Sequence, residues 1–398
     1  MISRRAAERL RAGHVWVYRS DIEHAPDAEA GLLAVADHRG FPLGVALWSP
    51  TSQIALRMVA PDPDLTHQAW LALLDQRVRQ AVHLRAQPRF GMLGEGTDAC
   101  RLVFSEADQL PGLIVDRYGD LLLLQILTKG LDRKDVREAI VQALRAEVEP
   151  LSIVERTDSR IQELEQLSEP AEAPLYTAEI IPQLRTIFQL NGLAFHYDAN
   201  AGQKTGAFLD QRLNYAAAER YAHGEALDVC TYQGGFALHL ARSCTRVTGI
   251  DVSRAALEVA EENLDVNRHR IQAEVDWIEA NAFDLLRDWS TTGKSFDTVV
   301  LDPPAFAKSK RAVGGALRGY KELNLRVLKM LRPGGTLVTC SCSHHVSWDE
   351  FQEVVTAAAG DAQRRVRLLE RRGAAPDHPV VLNIPETEYL KCLIVQVN

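Results

Sequence analysis

Six cysteines are all the sequence has in 398 residues: Cys100, Cys230, Cys244, Cys340, Cys342 and Cys392. None forms a CxxC pair or joins a His/Cys cluster, which argues against a disulfide framework and against a structural zinc site, and no metal is expected. Long apolar runs are missing too. Leu121 to Leu124 is strand-sized and far below the ~20 residues of a membrane span, so no membrane partner is expected. The start, Met1-Ile-Ser-Arg-Arg5, leads into a charged helix pattern and not into an apolar leader. No repeat or low-complexity segment stands out. These absences predict a soluble chain of a reducing cytoplasm. Positive charge is in deficit, with a net charge of −8, and the sum alone speaks against a nucleic-acid partner.

The distribution of charge says more than the sum. Between 308 and 332 stand Lys308, Lys310, Arg311, Arg318, Lys321, Arg326, Lys329 and Arg332, against Glu322. A first helix adds Arg4, Arg5, Arg9 and Arg11. The acidic excess falls between Glu147 and Glu179. Such runs are often no more than solvated helix faces; the 308–332 run differs in directly following a candidate active-site motif.

Hydrophobic content of 46% and charged content of 25% are ordinary for a globular protein, and the length predicts two or three domains. Residues 1–75 read as a small β-rich domain. Short segments at 14–18, 32–35, 44–48 and 54–59 follow a helix over 4–10. A helix over 65–84 opens a central α+β domain, 76–188, with a hairpin turning at Tyr118-Gly-Asp120 and a helix capped by Asp132. Residues 189–398 alternate strands and helices, which predicts an α/β, Rossmann-like, doubly wound parallel sheet. Strands are expected at 226–229, 246–250, 274–278, 297–301 and 335–339, with a helix capped by Ser253 running to Asn267.

Ligands of such sheets bind beyond the carboxyl ends of the strands. The first strand ends Asp228-Val-Cys-Thr-Tyr232-Gln-Gly234-Gly235-Phe236, where two glycines allow close backbone approach. The second ends at Asp251, an acid able to accept both hydroxyls of a ribose. The loop is not G-x-G-x-x-G, the fingerprint a pyrophosphate requires. Asn281-Ala282-Phe283 follows the third strand, and Asn281 can accept a hydrogen bond through its side-chain carbonyl. The fourth ends Asp302-Pro-Pro-Ala-Phe306, combining a carboxylate, two rigid prolines and a stacking face for a flat base.

These stretches, with Gln203-Lys204-Thr-Gly-Ala-Phe-Leu-Asp-Gln-Arg212, Arg318-Gly-Tyr320-Lys321 and Ser341-Cys342-Ser343, resemble the large-subunit ribosomal RNA methyltransferase I family over nearly the whole chain. The segment Gly13-His-Val-Trp-Val-Tyr18 resembles that family's N-terminal PUA domain, an RNA-binding fold. The resemblance implies S-adenosyl-L-methionine (SAM) as cofactor, held by Asp228, Tyr232, Gly234, Gly235, Phe236, Asp251, Asn281, Ala282 and Asp302. It implies large-subunit ribosomal RNA as partner, met by Lys204, Phe306, Lys308, Lys310, Arg311, Arg318, Tyr320 and Lys321. A homo-oligomer is compatible with the sequence, which carries no argument for one.

Methylation of cytosine carbon 5 needs a thiolate to add at carbon 6, because carbon 5 is too weak a nucleophile unaided. Cys342, just past the fifth strand, matches the nucleophile position of the family, and Asp302 could polarise the base. Cys340 reads as a buried small hydrophobe. Many RNA cytosine-C5 enzymes carry a second cysteine after the Pro-Pro; here the residue is Ala305. Two other readings stay open. An enzyme methylating a guanine or adenine amino group would use the Asp-Pro-Pro turn without a thiol, and a catalytically inactive RNA-binding assembly factor would bind no cofactor.

Overall fold

The computed structural model describes residues 1–88, 93–94, 96–200, 207–307 and 309–398; the expected site residues Lys204 and Lys308 lie outside them. The chain divides into two units. The first is Met1–Gln189 with Tyr197–Gly206 and Pro376–Thr387, and the second Leu190–His196 with Ala207–Ala375 and Glu388–Asn398. No described helix is long and apolar enough to cross a membrane.

In the first unit, Ser3 caps α1 (Arg4–Arg11), its hydroxyl accepting from the Ala6 amide. Strands β1 (Trp16–Tyr18), β2 (Gly31–Ala36), β3 (Pro42–Trp48) and β4 (Ile54–Ala60) form an antiparallel sheet in the order β1-β4-β3-β2. Its buried face packs Val35, Ala46, Trp48, Ala55 and Leu56 against Ile2, Ala6 and Ala7. The basic charge of α1 is consumed within the fold: Arg4 pairs with Glu8, Arg5 and Arg9 with Asp21, and Arg11 with Asp37.

A second sheet of the same unit has the order β5 (Ala99–Phe104), β6 (Leu113–Tyr118), β7 (Leu121–Ile126), β8 (Ser152–Glu155), β9 (Tyr176–Thr177). Helices α2 (His67–Ala86) and α3 (Lys134–Val148) lie against it, and α4 (Ser159–Glu165) follows β8. The division expected at 75/76 falls inside α2. One apolar cluster joins Val45, Leu47 and Val59 of β3 and β4 to Trp70, Leu74 and Val78 of α2 and to β5–β8. The β6–β7 turn lies where expected, with Tyr118 paired to Leu121. Asp132, however, does not cap α3: Arg133 stands at the N-cap without a side-chain bond. The Asp132 carboxylate is taken by Lys129, Arg137 and Ser168 instead. Asp377 and His378 are buried and structural, Asp377 accepting from the Arg101 amide and His378 packing on Phe104.

A hairpin of β10 (Arg185–Leu190) and β11 (Leu193–Asp198) comes next along the chain. The second unit then runs α5 (Arg212–Tyr221), β12 (Glu225–Val229), α6 (Gly235–Leu240), β13 (Arg246–Asp251), α7 (Arg254–Asn267), β14 (Glu274–Glu279), α8 (Ala282–Thr292), β15 (Phe296–Leu301), α9 (Val313–Met330), β16 (Leu331–Ser341), α10 (Trp348–Asp361), β17 (Val366–Arg372) and β18 (Lys391–Val397). Its sheet order is β14-β13-β12-β15-β16-β18-β17. All five expected strands are present and parallel. Ser253 caps α7 as expected, accepting from the Ala256 amide. Two further strands complete the sheet, with β18 running antiparallel between β16 and β17. Because β13 and β15 flank β12 on opposite sides, strand order reverses there. That reversal opens a crevice at the carboxyl ends of β12 and β15.

Candidate active site

The loop after β12 is wound tightly. Cys230 and Tyr232 both hold left-handed backbone, φ 64° and 53°, and Gly234 follows at 85°. Non-glycine residues rarely sit there, and they persist only where the surroundings over-determine them. Here Asp228 Oδ2 accepts from the Thr231 hydroxyl (2.5 Å) and the Ala237 amide (2.9 Å). Thr231 N donates to Ile250 O, and Tyr232 N to Asp251 Oδ2 (2.9 Å). At Gly235 a Cβ would come within 2.7 Å of the Tyr215 ring, so only glycine fits.

Asp228 is fully buried, and its Oδ1 has no hydrogen-bond partner among the described residues. Burial pushes its pKa up to about 7 against the two hydrogen bonds. Asp251 is half-buried. Each of its oxygens takes one backbone amide, from Tyr232 and Ser253, and keeps further lone-pair capacity. Asn281 is exposed, and its carbonyl oxygen caps α8 by accepting from Phe283 N and Asp284 N. The oxygen expected to meet a ligand amine is therefore engaged in starting a helix; Ala282 is that helix's first residue. Phe208, Tyr232, Gln233, Gly235, Phe236 and Asp302 line one small pocket at this end of the sheet, of about 30 Å³.

Asp302 follows β15, and its Oδ2 accepts from Gln211 Nε2 at 3.0 Å. Burial, then the nearby Asp210 and Asp228, press its pKa up to about 8. Phe306 sits between Phe283 and Tyr320, with ring centroids 5.9 and 4.8 Å away. Tyr320, expected at the substrate, is instead part of the core. It is buried, and its hydroxyl bonds to those of Ser341 and Ser343, each at 2.9 Å. The reason is the face of α9 it occupies, which it shares with Leu323 and Val327 against the sheet.

Two cysteines close to β16 part company. Cys340 is buried opposite Cys392 on β18. Cys342 lies beyond the strand's last residue, partly buried, its thiol directed at Pro303 O across 3.9 Å. Burial, Asp302 and Asp210 push that thiol up to about 12, and Lys391 pulls the other way. Lys391 was not singled out in the sequence; the apolar run Cys392-Leu-Ile-Val395 that marks its strand was the available signal.

Of the basic run, Lys310, Arg311 and Arg318 are exposed and have no ion-pair partner among the described residues. Lys321 pairs with Asp361, Arg326 with Glu322, and Arg332 with Glu225 and Asp297.

Residues 129–394 match the S-adenosylmethionine-dependent methyltransferase family, and residues 1–61 a PUA-like domain. The chain is 36% identical to ribosomal RNA large subunit methyltransferase I of Cronobacter sakazakii, covering 95% of this chain and 94% of the relative. It is 36% identical to the protein of that name from Shewanella denitrificans, covering 98% and 96%. The chain belongs to the ribosomal RNA large subunit methyltransferase I family. Its fold is also that of a methyltransferase from Streptococcus mutans assigned as SAM-dependent, with TM-score 0.82 at 19% identity over the whole of both chains. A methyltransferase named SMU.776, solved with SAH, superposes at TM-score 0.83, again at 19% identity, covering 100% of this chain and 99% of that one. The family's cofactor is SAM, and the described residues hold no His, Cys, Asp or Glu group arranged for a metal.

Proposed function

We propose that the chain methylates carbon 5 of a cytosine in large-subunit ribosomal RNA, with Cys342 as nucleophile. The carrying observation is the position of Cys342: it leaves the sheet beside the Asp302-Pro303 turn, only partly buried, while Cys340 stays fully in the core. The relatives' printed names supply the RNA class.

The donor and acceptor set suits SAM: Asp251 retains acceptor capacity for a ribose diol, and Asp228 Oδ1, without a partner among the described residues, is a buried acceptor. Asp228, Tyr232, Gly234, Gly235, Phe236, Asp251, Asn281, Ala282 and Asp302 would hold the cofactor. When bound it supplies an electrophilic methyl on a sulfonium. Cys342 gives its proton to solvent water and its sulfur pair forms a bond to carbon 6 of the base. The ring π electrons shift through C4 to N3, where Asp302, an acid at neutral pH because its pKa is about 8, delivers its proton. Carbon 5, now enamine-like, accepts the methyl group. Loss of the C5 proton to a base restores the double bond and expels the Cys342 thiolate, and Asp302 recovers its proton from N3. The base must stand out of its helix to be reached. Lys310, Arg311 and Arg318 are free to hold flanking phosphates, as are Lys204 and Lys308 by the sequence reading.

The deciding experiment is Cys342→Ala. Methyl transfer should vanish while calorimetry still reads SAM binding, and RNA bearing 5-fluorocytidine should trap a covalent adduct on the unmutated protein. The thiol's resting pKa of about 12 favours one rival, amino-group methylation at the Asp302 turn. Full activity in Cys342→Ala would establish that rival.

A further inference from the structure

Lys391 opens β18 directly across from Ser341 and is only 3% exposed. Buried ammonium groups are normally paired with a carboxylate. This one donates to two carbonyls, Ser343 O at 2.7 Å and Tyr389 O at 2.8 Å. It therefore holds the carbonyl of the Ser343–His344 peptide, one residue beyond Cys342. The contacts close a ring around the thiol. The Tyr389 hydroxyl donates to Asp210 (2.6 Å), the neighbouring Gln211 donates to Asp302, and the Cys342 thiol points at Pro303 O beside Asp302.

In that ring the titratable groups facing Cys342 are Asp302 beyond β15, Asp210 before α5, and Lys391 on β18. Asp210 opposes a thiolate, as does Asp302 once it ionises, and only Lys391 favours one. We propose that Lys391 is a positioning residue for Cys342: its buried ammonium anchors the turn at Ser343, the next residue, and supplies the positive charge that stabilises the thiolate as it forms. The assignment rests on Cys342 being the nucleophile. Burial lowers the Lys391 pKa to about 8, while Cys342, Glu388 and Glu350 support its charge. The ammonium is thus still the main form at neutral pH and is lost just above it.

The test is the pH dependence of Cys342 alkylation by iodoacetamide in the full chain, read at the Cys342 peptide by mass spectrometry. In the unmutated protein the logarithm of the rate should climb with pH and then flatten near pH 8, as Lys391 discharges. Lys391→Gln keeps N–H donors for both carbonyls and removes the charge. It should alkylate about tenfold more slowly at neutral pH, the equivalent of one pKa unit, with a parallel fall in kcat and an unchanged KM for SAM. Lys391→Arg keeps the charge and should stay near the unmutated profile. A straight climb through pH 8, a Lys391→Gln profile superimposed on the unmutated one, or Lys391→Arg falling as far as Lys391→Gln would each overturn the assignment. Asp302 ionises in the same range and would bend the climb too, so the bend must persist in Asp302→Asn, and its loss there would also overturn the assignment. Activity in Cys342→Ala would instead remove the nucleophile reading and leave the alkylation result standing.

Discussion

The side-chain amide of Gln211 donates to Asp302 Oδ2 across 3.0 Å, and it favours ionisation of a carboxyl that its surroundings hold in the acid form. Removing the donor, as in Gln211→Leu, should raise the Asp302 pKa further. Since the acid form is the one proposed to protonate the base, activity should fall as pH rises through about 8. In Gln211→Leu the falling limb should move to higher pH in a kcat profile.

Asp228 and Asp302 also shape stability. Both are raised from 3.8, to about 7 and about 8. Between pH 4 and those values the folded protein holds protons that the unfolded chain has released, so their contribution to stability is lost as pH rises through that window. Melting temperature should therefore fall from mildly acid to mildly alkaline pH, and Asp302→Asn should flatten part of the fall.

Asp21 has the opposite sign. Burial alone would raise its pKa, but Arg5 and Arg9 hold it below the usual carboxylate range. The stability it contributes is present at neutral pH and lost in acid. Asp21→Asn should cost roughly 1–3 kcal/mol at neutral pH, the range for charge-assisted bonds, with the deficit shrinking at low pH in denaturant titrations.

At Gly235 a methyl group would sit 2.7 Å from the Tyr215 ring. Gly235→Ala should destabilise the protein by about 1–3 kcal/mol, as overpacking does. It should also weaken SAM binding more than Gly314→Ala, a glycine whose nearest neighbour on such a build is 3.9 Å away. Calorimetry on both variants checks this.

Neutralising Lys310, Arg311 and Arg318 together should weaken RNA binding and lower the slope of log affinity against log salt by about 2, the counterion release expected for three single-strand phosphate contacts. Lys321→Ala should change the slope less, because Lys321 is already paired with Asp361. A salt titration of binding separates the two.

Local chemistry made much of this protein readable in advance. The parallel strands announced themselves as apolar runs, α7 by its Ser253 cap and apolar stripe, and the ligand end by Asp228, Asp251 and Asp302 at strand termini. Tyr320 misled because its position in a basic, polar stretch says nothing about which side of α9 faces the sheet. Asp132 misled because its cap-like spacing was outbid by Lys129 and Arg137, brought beside it by folding. The arginines of α1 looked available for RNA until Asp21 and Asp37, distant in sequence, came to meet them.

Periodicity, caps and strand-end motifs act between residues a few positions apart, so the order of amino acids alone specified the doubly wound sheet, the acids at its strand ends and the cysteine pair to compare. Which cysteine leaves the core, which carboxyl stays protonated, and that a lysine 49 positions after Cys342 binds the carbonyl of the next residue, Ser343, depend on burial and on contacts between distant segments. Those forces exist only once the chain has folded and water has been excluded.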